Sequence, residues 1–419
     1  MKFFGRLISN IPFFTYSKKV DPMLTGFLRN GRLKYIPVIL VCTEKPDQAL
    51  ESRIKRLGFK KEHTLGFING ISGKMPVKNF DHVLAMLEIE KIFYDGKAML
   101  MGAAEEQAPG MQSPQEQALP VAPQPTAIGG KGVTAAFIDS GIYPHKDFCR
   151  PKNRIAAFKD FVNEYQFPYD DNGHGTACVG AAFGASMDGK FRALAYDAGI
   201  VCAKAFDKFG AGSYSDILAA MQWIMDSKDS HGIKVAVMPF GTVPAAPRFD
   251  ILSLGVTALW KQNILVCTCT GNLGPMEGSM TSPGSCEASL TAGACKATGS
   301  GFQHAGFSGC GPVGIKADKP DIIMPGADVE TLNADIEYIP VNSVNYSSTT
   351  QQTVLYRQFS GTSISASMAG AAAVLLYQKK PALTPDDAKN ILKKCAVSIN
   401  ELKIAQGAGM IDIKKLEQL

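Results

Sequence analysis

The chain has 419 residues, more than one compact core usually serves, so at least two folded units are expected. With 46% hydrophobic and 19% charged residues it does not have the composition of a disordered protein. Its net charge of +5 is too small over this length to point to nucleic acid or an anionic membrane as the main partner. No apolar run reaches the roughly 18 residues of a membrane-spanning helix. The stretch Phe3 to Phe14 is broken by Arg6, Asn10 and Pro12, and no small-residue cleavage site follows before Lys18 and Lys19, so it does not read as a secretory signal. Most of the ten cysteines sit singly in apolar runs, with no CxxC pair and no zinc-type Cys/His spacing. They read as reduced core thiols, and a cytoplasmic protein without a cofactor or bound metal is expected.

Along the chain, Tyr35 to Cys42 is an apolar run, Asp47 to Leu57 a helical pattern, and the segments around Asn69-Gly70 extended. A second helical pattern, Asn79 to Leu87, and a run Ile89 to Tyr94 complete the order βαββαβ, a small ferredoxin-like unit expected to end near residue 105. Residues 106–130, rich in Ala, Gln, Pro and Gly, cannot build a core and read as a linker and lead-in segment. From residue 131 to 419 extended and helical patterns alternate: Val133 to Asp139, Gly175 to Phe183, Gly199 to Ala205, Ser215 to Asp226, Lys234 to Phe240, Phe249 to Lys261, and Ile264 to Thr270. The extended runs are apolar on both faces, as strands of a parallel sheet covered by helices must be, which predicts a doubly wound α/β domain. Near the end, Thr384 caps a helix that has Pro385 at its first position and runs to Cys395.

Three segments place reactive side chains where such a sheet builds its sites, at strand ends and helix starts. In AAFIDSG an apolar strand ends on Asp139; in DDNGHGTACVG, His174 stands between glycines at the start of a helix; in FSGTSISASMAG, Ser363 opens a long helix of small residues. Singly, each has a plain structural reading as a turn aspartate, a structural histidine or a helix cap. Together, in the chain order Asp, His, Ser, they match the order of the subtilisin triad.

With DSGIYPH, YDDNGHGT, KPDIIMPG, SGTS and the closing QGAGMIDI, the chain resembles the subtilisin-like serine peptidases from about Gly130 to Ile413. Among them it is most similar to the cytoplasmic AprX-type group of bacteria. The resemblance implies a subtilisin-like fold and an Asp139-His174-Ser363 triad that hydrolyses peptide bonds through an acyl-enzyme. It also implies an oxyanion donor at Asn272, within LVCTCTGNLGP, and two edge segments that pair with an extended substrate. These edges match Gly210-Ala211-Gly212 and Pro239-Phe240-Gly241, the second departing from the family's Ser-Leu-Gly. A further departure is Ser367 and Met368 in place of Pro and His behind the nucleophile. No secreted-type calcium loop is apparent, and no metal is expected. The βαββαβ unit matches the family's pro-region, so residues 1–105 are expected to act in cis as folding assistant and inhibitor, with the bond to be cut between Leu100 and Gln107. The partners expected are a peptide or unfolded protein substrate and the chain's own pro-domain. A peptide-holding protein without activity, or one that transfers rather than hydrolyses the acyl group, would share these motifs. Residues 327–357, polar and rich in β-formers, are expected to form a surface hairpin, with the rim of the cleft as the alternative role.

Overall fold

The structure, a computed structural model, describes residues 18–30, 33–100, 127–185, 192–242, 250–311, 319–340 and 354–419. The predicted linker therefore lies almost wholly outside the described residues, as do the middle of the 327–357 insert and residues 101–107 of the expected cut region. The chain divides into two compact units: residues through Lys97 together with Ser213–Gln222, and Ala98–Gly212 together with Trp223–Leu419.

In the first unit a helix α1 (Pro22–Asn30) precedes β1 (Tyr35–Cys42), α2 (Gln48–Arg56), β2 (Lys60–Leu65), β3 (Gly70–Pro76), α3 (Phe80–Leu84) and β4 (Ile89–Tyr94). The sheet order is β2-β3-β1-β4, with β1 antiparallel to both of its neighbours, which is the split βαβ arrangement read from the sequence. β1 is central because YIPVILVC carries apolar residues on both faces, and Ile36 and Val38 through Cys42 are buried. Asp47 caps α2, its carboxylate accepting from the Leu50 N–H at 2.7 Å, and Leu50 and Ile54, one turn apart, are buried against the core. Helix α1 was not among the predicted elements, although Leu24 and Leu28 show the same one-turn spacing and are buried. The second predicted helix is shorter than its pattern. A 3₁₀ turn at Val77–Asn79 precedes α3, and the chain must leave the helix early because Ile89 already pairs with Cys42 in β4.

The second unit carries a ten-stranded sheet. From residue 97 on, the main elements in chain order are β5 (Lys97–Leu100), β6 (Thr134–Asp139), β7 (Ile155–Asp160), α4 (His174–Phe183), β8 (Gly199–Lys204), β9 (Ala211–Ser213) and α5 (Tyr214–Asp226), most of which belongs to the first unit. There follow β10 (Ile233–Met238), β11 (Phe240–Thr242), α6 (Ile251–Lys261), β12 (Leu265–Cys269), β13 (Leu290–Thr298), β14 (Gly301–His304), β15 (Ile322–Pro325), β16 (Val329–Leu332) and β17 (Tyr356–Phe359). Then come α7 (Thr362–Lys379), α8 (Pro385–Cys395), β18 (Ala396–Val397) and β19 (Met410–Ile411), with short helices at Lys403–Gln406 and Ile413–Glu417. The order of the large sheet is β18-β19-β15-β13-β12-β10-β6-β8-β7, with β14 hydrogen-bonded to β13. Pairing is parallel from β15 through β7, and antiparallel only at β14 and β18. The predicted alternation thus yields the expected doubly wound sheet, and β7, β13 and β15 extend it beyond the strands read from the sequence.

After β6 the chain winds toward β8 and β7, and after β10 it winds the other way, toward β12 and β13. The crevice between the carboxyl ends of β6 and β10 is the topological switch point, where folds of this kind place ligands. Behind it runs α7, buried from Thr362 through Tyr377. A helix enclosed on all sides needs an apolar circumference and a small one, which explains the run of Ser, Ala and Gly. At Gly370 an added Cβ would stand 2.6 Å from Cγ2 of Val237 on β10, so the helix packs on the sheet at a distance that admits no larger side chain. Thr384 caps α8 by accepting from the Asp387 N–H at 3.2 Å, with Pro385 in the first turn, as the sequence predicts.

Candidate active site

Asp139 is the last residue of β6, His174 the first of α4 and Ser363 the second of α7, and the structure brings all three together. His174 Nδ1 lies 2.8 Å from Asp139 Oδ1, and its Nε2 lies 3.0 Å from Ser363 Oγ. The three side chains are buried, with residue exposures of 0%, 3% and 0% in that order. An imidazole held between a carboxylate and a hydroxyl can take the hydroxyl proton as the oxygen attacks, while the carboxylate orients the ring and stabilises its cation.

The local backbone explains how this geometry is held. Gly173 has φ +91°, a conformation that a side chain at this position would resist. At Gly175 an added Cβ would collide with the Gly141 carbonyl oxygen and stand 3.2 Å from the carboxyl carbon of Asp139. The glycines around His174 therefore let the start of α4 rest directly on the turn that follows Asp139.

Asp170 ties the two together, a role that sequence reasoning missed. Its Oδ1 accepts from the Ser140 hydroxyl and the Gly173 N–H, both at 2.8 Å, and its Oδ2 accepts from the Thr176 N–H and hydroxyl at 2.8 and 2.7 Å. Ser140 Oγ accepts in turn from the Gly175 N–H at 3.0 Å. Lys204, fully buried at the end of β8, donates to the Ser140 carbonyl oxygen and pairs with Asp171, both at 2.6 Å. The signal was present as the carboxylate pair in YDDNGHGT. A buried carboxylate needs several donors, and the turn leading into a helix provides them.

Asn272 follows β12 and lies beside Ser363: its side-chain oxygen accepts from the Thr362 N–H at 3.0 Å and from the Thr362 hydroxyl at 2.8 Å. Those bonds fix the amide plane and leave Nδ2 as the group with hydrogens to donate. Ser363 lies in the first turn of an 18-residue helix, whose N–H groups point out of the helix start and favour negative charge there. At the departures from the family pattern, the Ser367 hydroxyl donates to the Ser363 carbonyl oxygen at 2.9 Å and Met368 is buried at 2% exposure, so both fit within the packed α7.

The two predicted substrate edges stand on either side of a third strand. Ala211 and Gly212 belong to β9, with Gly210 preceding it at φ +75°, and Phe240 and Gly241 belong to β11, with Pro239 at its entrance. Between β9 and β11 lies β5. Ala98, Met99 and Leu100 pair antiparallel with Thr242, Gly241 and Phe240, and the Leu100 N–H donates to the Gly210 carbonyl oxygen at 2.9 Å. The edges thus hold an extended segment through backbone bonds on both sides, the mode of a peptide added as a strand.

The insert differs from the surface hairpin expected. Its flanks do pair, as β16 and β17, but Val329 and Leu332 are fully buried and the Thr331 hydroxyl donates to the Ala177 carbonyl oxygen of α4 at 2.6 Å. Thr331 and Leu332 both lie against Gly180 of α4, so the hairpin is part of the packed domain. Phe359 of β17 meets His174 edge-on, with ring centroids 5.7 Å apart.

Cys178 lies one helical turn after His174, its sulfur 3.7 Å from Nδ1. Asp139, His174 and Cys178 are the one group of three potential metal ligands found among the described residues, and in this structure Asp139 and His174 are bonded to each other. All ten cysteines are free thiols, nine of them buried. Burial pushes the thiols of Cys42, Cys149 and Cys269 up to about 11 and that of Cys295 to about 12. Those of Cys178, Cys202 and Cys267 are raised further by the same cause. Thiolates being the reactive form, a disulfide reagent should react slowly with the folded protein and titrate ten thiols after non-reducing denaturation. Fewer than ten would contradict the free-thiol structure.

A doubly wound sheet whose triad is joined at its switch point in the chain order Asp, His, Ser defines the class of subtilisin-like hydrolases. Residues 130–409 match the family model of the subtilase family, peptidase S8, and the chain belongs to that family. It is 37% identical over 278 residues to the serine protease AprX of Bacillus subtilis, covering 64% of this chain and 61% of that protein. Subtilisin Savinase of Lederbergia lenta is 27% identical over 285 residues, 68% of this chain and 90% of its own length. Fervidolysin from Fervidobacterium pennivorans, a keratinolytic enzyme related to subtilisin, shares the fold with a TM-score of 0.73 at 17% identity, covering 93% of this chain and 62% of that one. Among the described residues no helix is long and apolar enough to cross a membrane.

Proposed function

We propose that this protein is a serine endopeptidase that acts on peptides or unfolded proteins in the cytoplasm, and that residues 1–105 are its pro-domain in cis. The observation that carries the reading is the placement of His174 between Asp139 and Ser363 at 2.8 and 3.0 Å. Ser363 Oγ attacks the substrate carbonyl carbon as His174 Nε2 takes its proton, and Asp139 stabilises the resulting imidazolium. The oxyanion of the tetrahedral intermediate accepts from Asn272 Nδ2 and the Ser363 N–H. Collapse breaks the C–N bond and returns the proton from His174 to the leaving amine. Water then repeats the sequence on the acyl-enzyme, releasing the acid and regenerating Ser363.

The strand formed by Ala98–Leu100 between β9 and β11 supports a pro-segment that enters the cleft as a substrate does. On this reading the bond cut in maturation lies between Leu100 and Gln107. Wild type and Ser363→Ala expressed side by side test both parts. Wild type should yield a fragment beginning after Leu100 that reacts with a fluorophosphonate, and the mutant should stay full length and unlabelled. Labelled wild type that stays full length and cuts peptides at full rate would retain the peptidase and remove the pro-domain. Wild type that neither labels nor matures would remove the peptidase.

A further inference from the structure

The family fold leaves open what the protein prefers on the leaving side of the cut bond, and β17 carries a charged group near His174. We propose that Arg357 makes this protein selective for a side-chain carboxylate, Asp or Glu, within the first residues after the cut. The proposal rests on the peptidase reading above.

On the acyl side of the cleft an extended segment runs between β9 and β11. The leaving amine must come within hydrogen-bond reach of His174 Nε2 to receive its proton. The residues that follow it therefore pass the neighbours of the His174 ring that are not part of β9 or β11. One of these is Phe359, edge-on to His174. Two residues earlier in β17, and therefore on the same face of the hairpin, stands Arg357. Opposite them on β16 are Val329 and Thr331, and Thr331 bonds to α4, so this face is turned to the helix that begins with His174.

The guanidinium lies over the Phe359 ring, 5.1 Å from its centroid. A Cβ placed on Gly173 would be 3.7 Å from Arg357 Nη2, 3.7 Å from Ala334 Cβ and 3.5 Å from Ile336 Cγ2. Arg357 Nη2, Ala334 and Ile336 thus converge on the space beside the residue before His174, with the Phe359 ring under the guanidinium. Its Nε is buried and has no hydrogen-bond partner. A buried donor left without an acceptor is costly and uncommon, and a guanidinium offers a planar fork that fits a carboxylate. The aromatic face holds the cation without consuming its donors. A passing Asp or Glu side chain pairs with the guanidinium, and a Lys at the same place meets a like charge.

The experiment digests a library of long peptides from denatured proteins and reads the cut sites by mass spectrometry, using fluorophosphonate-labelled fractions to normalise the enzymes. Wild type should show Asp and Glu enriched on the order of tenfold over Lys within the first three positions after the cut, weakening as salt is added. Arg357→Gln should abolish the preference, and Arg357→Glu should reverse it toward Lys and Arg. Internal cuts in long peptides carry no nearby α-carboxylate, so enrichment confined to cuts within three residues of a C-terminus would overturn side-chain selection. A wild type that cuts without acidic preference overturns the proposal even if neither variant folds, as does Arg357→Glu with an unchanged pattern. Absence of both cutting and labelling in wild type would instead defeat the peptidase reading.

Discussion

Replacing Ser363 or His174 by Ala is expected to lower turnover of a peptide substrate by about 10⁶-fold, and replacing Asp139 by about 10⁴-fold or more, the losses characteristic of this triad in subtilisin. The double variant Ser363→Ala/His174→Ala should be little worse than either alone. The structural reason is that Nε2 of His174 has its 3.0 Å contact with Ser363 Oγ and Nδ1 its 2.8 Å contact with Asp139. Without the base, the hydroxyl is a weak nucleophile; without the hydroxyl, the base has nothing to deprotonate, so each removal ends the same step. Steady-state kinetics of the single and double variants, freed of the first unit by cutting in trans with active wild type that is then removed, check this. Losses that multiply would show that the three groups act separately.

Asn272→Ala is expected to reduce kcat by about 10²- to 10³-fold while leaving KM nearly unchanged. The side-chain oxygen of Asn272 is committed to the Thr362 N–H and hydroxyl, which aims the amide nitrogen without any contribution from substrate. A donor fixed in advance stabilises charge that appears only when the carbonyl becomes tetrahedral, so its loss falls on the transition state and not on binding. Asn272→Asp keeps the size and the acceptor but removes the donor, and should behave like the alanine variant or worse. An effect of either substitution confined to KM would assign Asn272 to ground-state binding.

The side chains of the site were legible because each carries a local signature. Asp139 ends an apolar strand, His174 stands between glycines that the backbone requires, and Ser363 opens a helix whose small residues announce that it is enclosed. Thr384 and Pro385 mark a helix start as plainly. The carboxylate pair of YDDNGHGT signalled Asp170 without giving its role, and Cys178 read only as a core thiol, since the meaning of both lies in what packs against them. The insert shows the same limit from the other side. Its composition suits a hairpin, and the hairpin is there, yet whether one face is wetted or buried depends on α4, which is 146 residues upstream when counted from Phe183 to Val329.

By itself, then, the sequence determined the strand and helix alternation, the βαββαβ order of the first unit, the catalytic-type residues and the reduced state expected of its thiols. These follow from periodicity, capping and residue chemistry, all of which act over a few neighbouring positions. The tertiary structure alone decided that β7, β13 and β15 complete the sheet and that Asp170 and Lys204 brace the turn after Asp139. It alone placed Ala98–Leu100 between β9 and β11 and set Arg357 beside the helix start that carries His174. Each of these depends on a distance between residues far apart in the chain, and only the packed fold sets such distances.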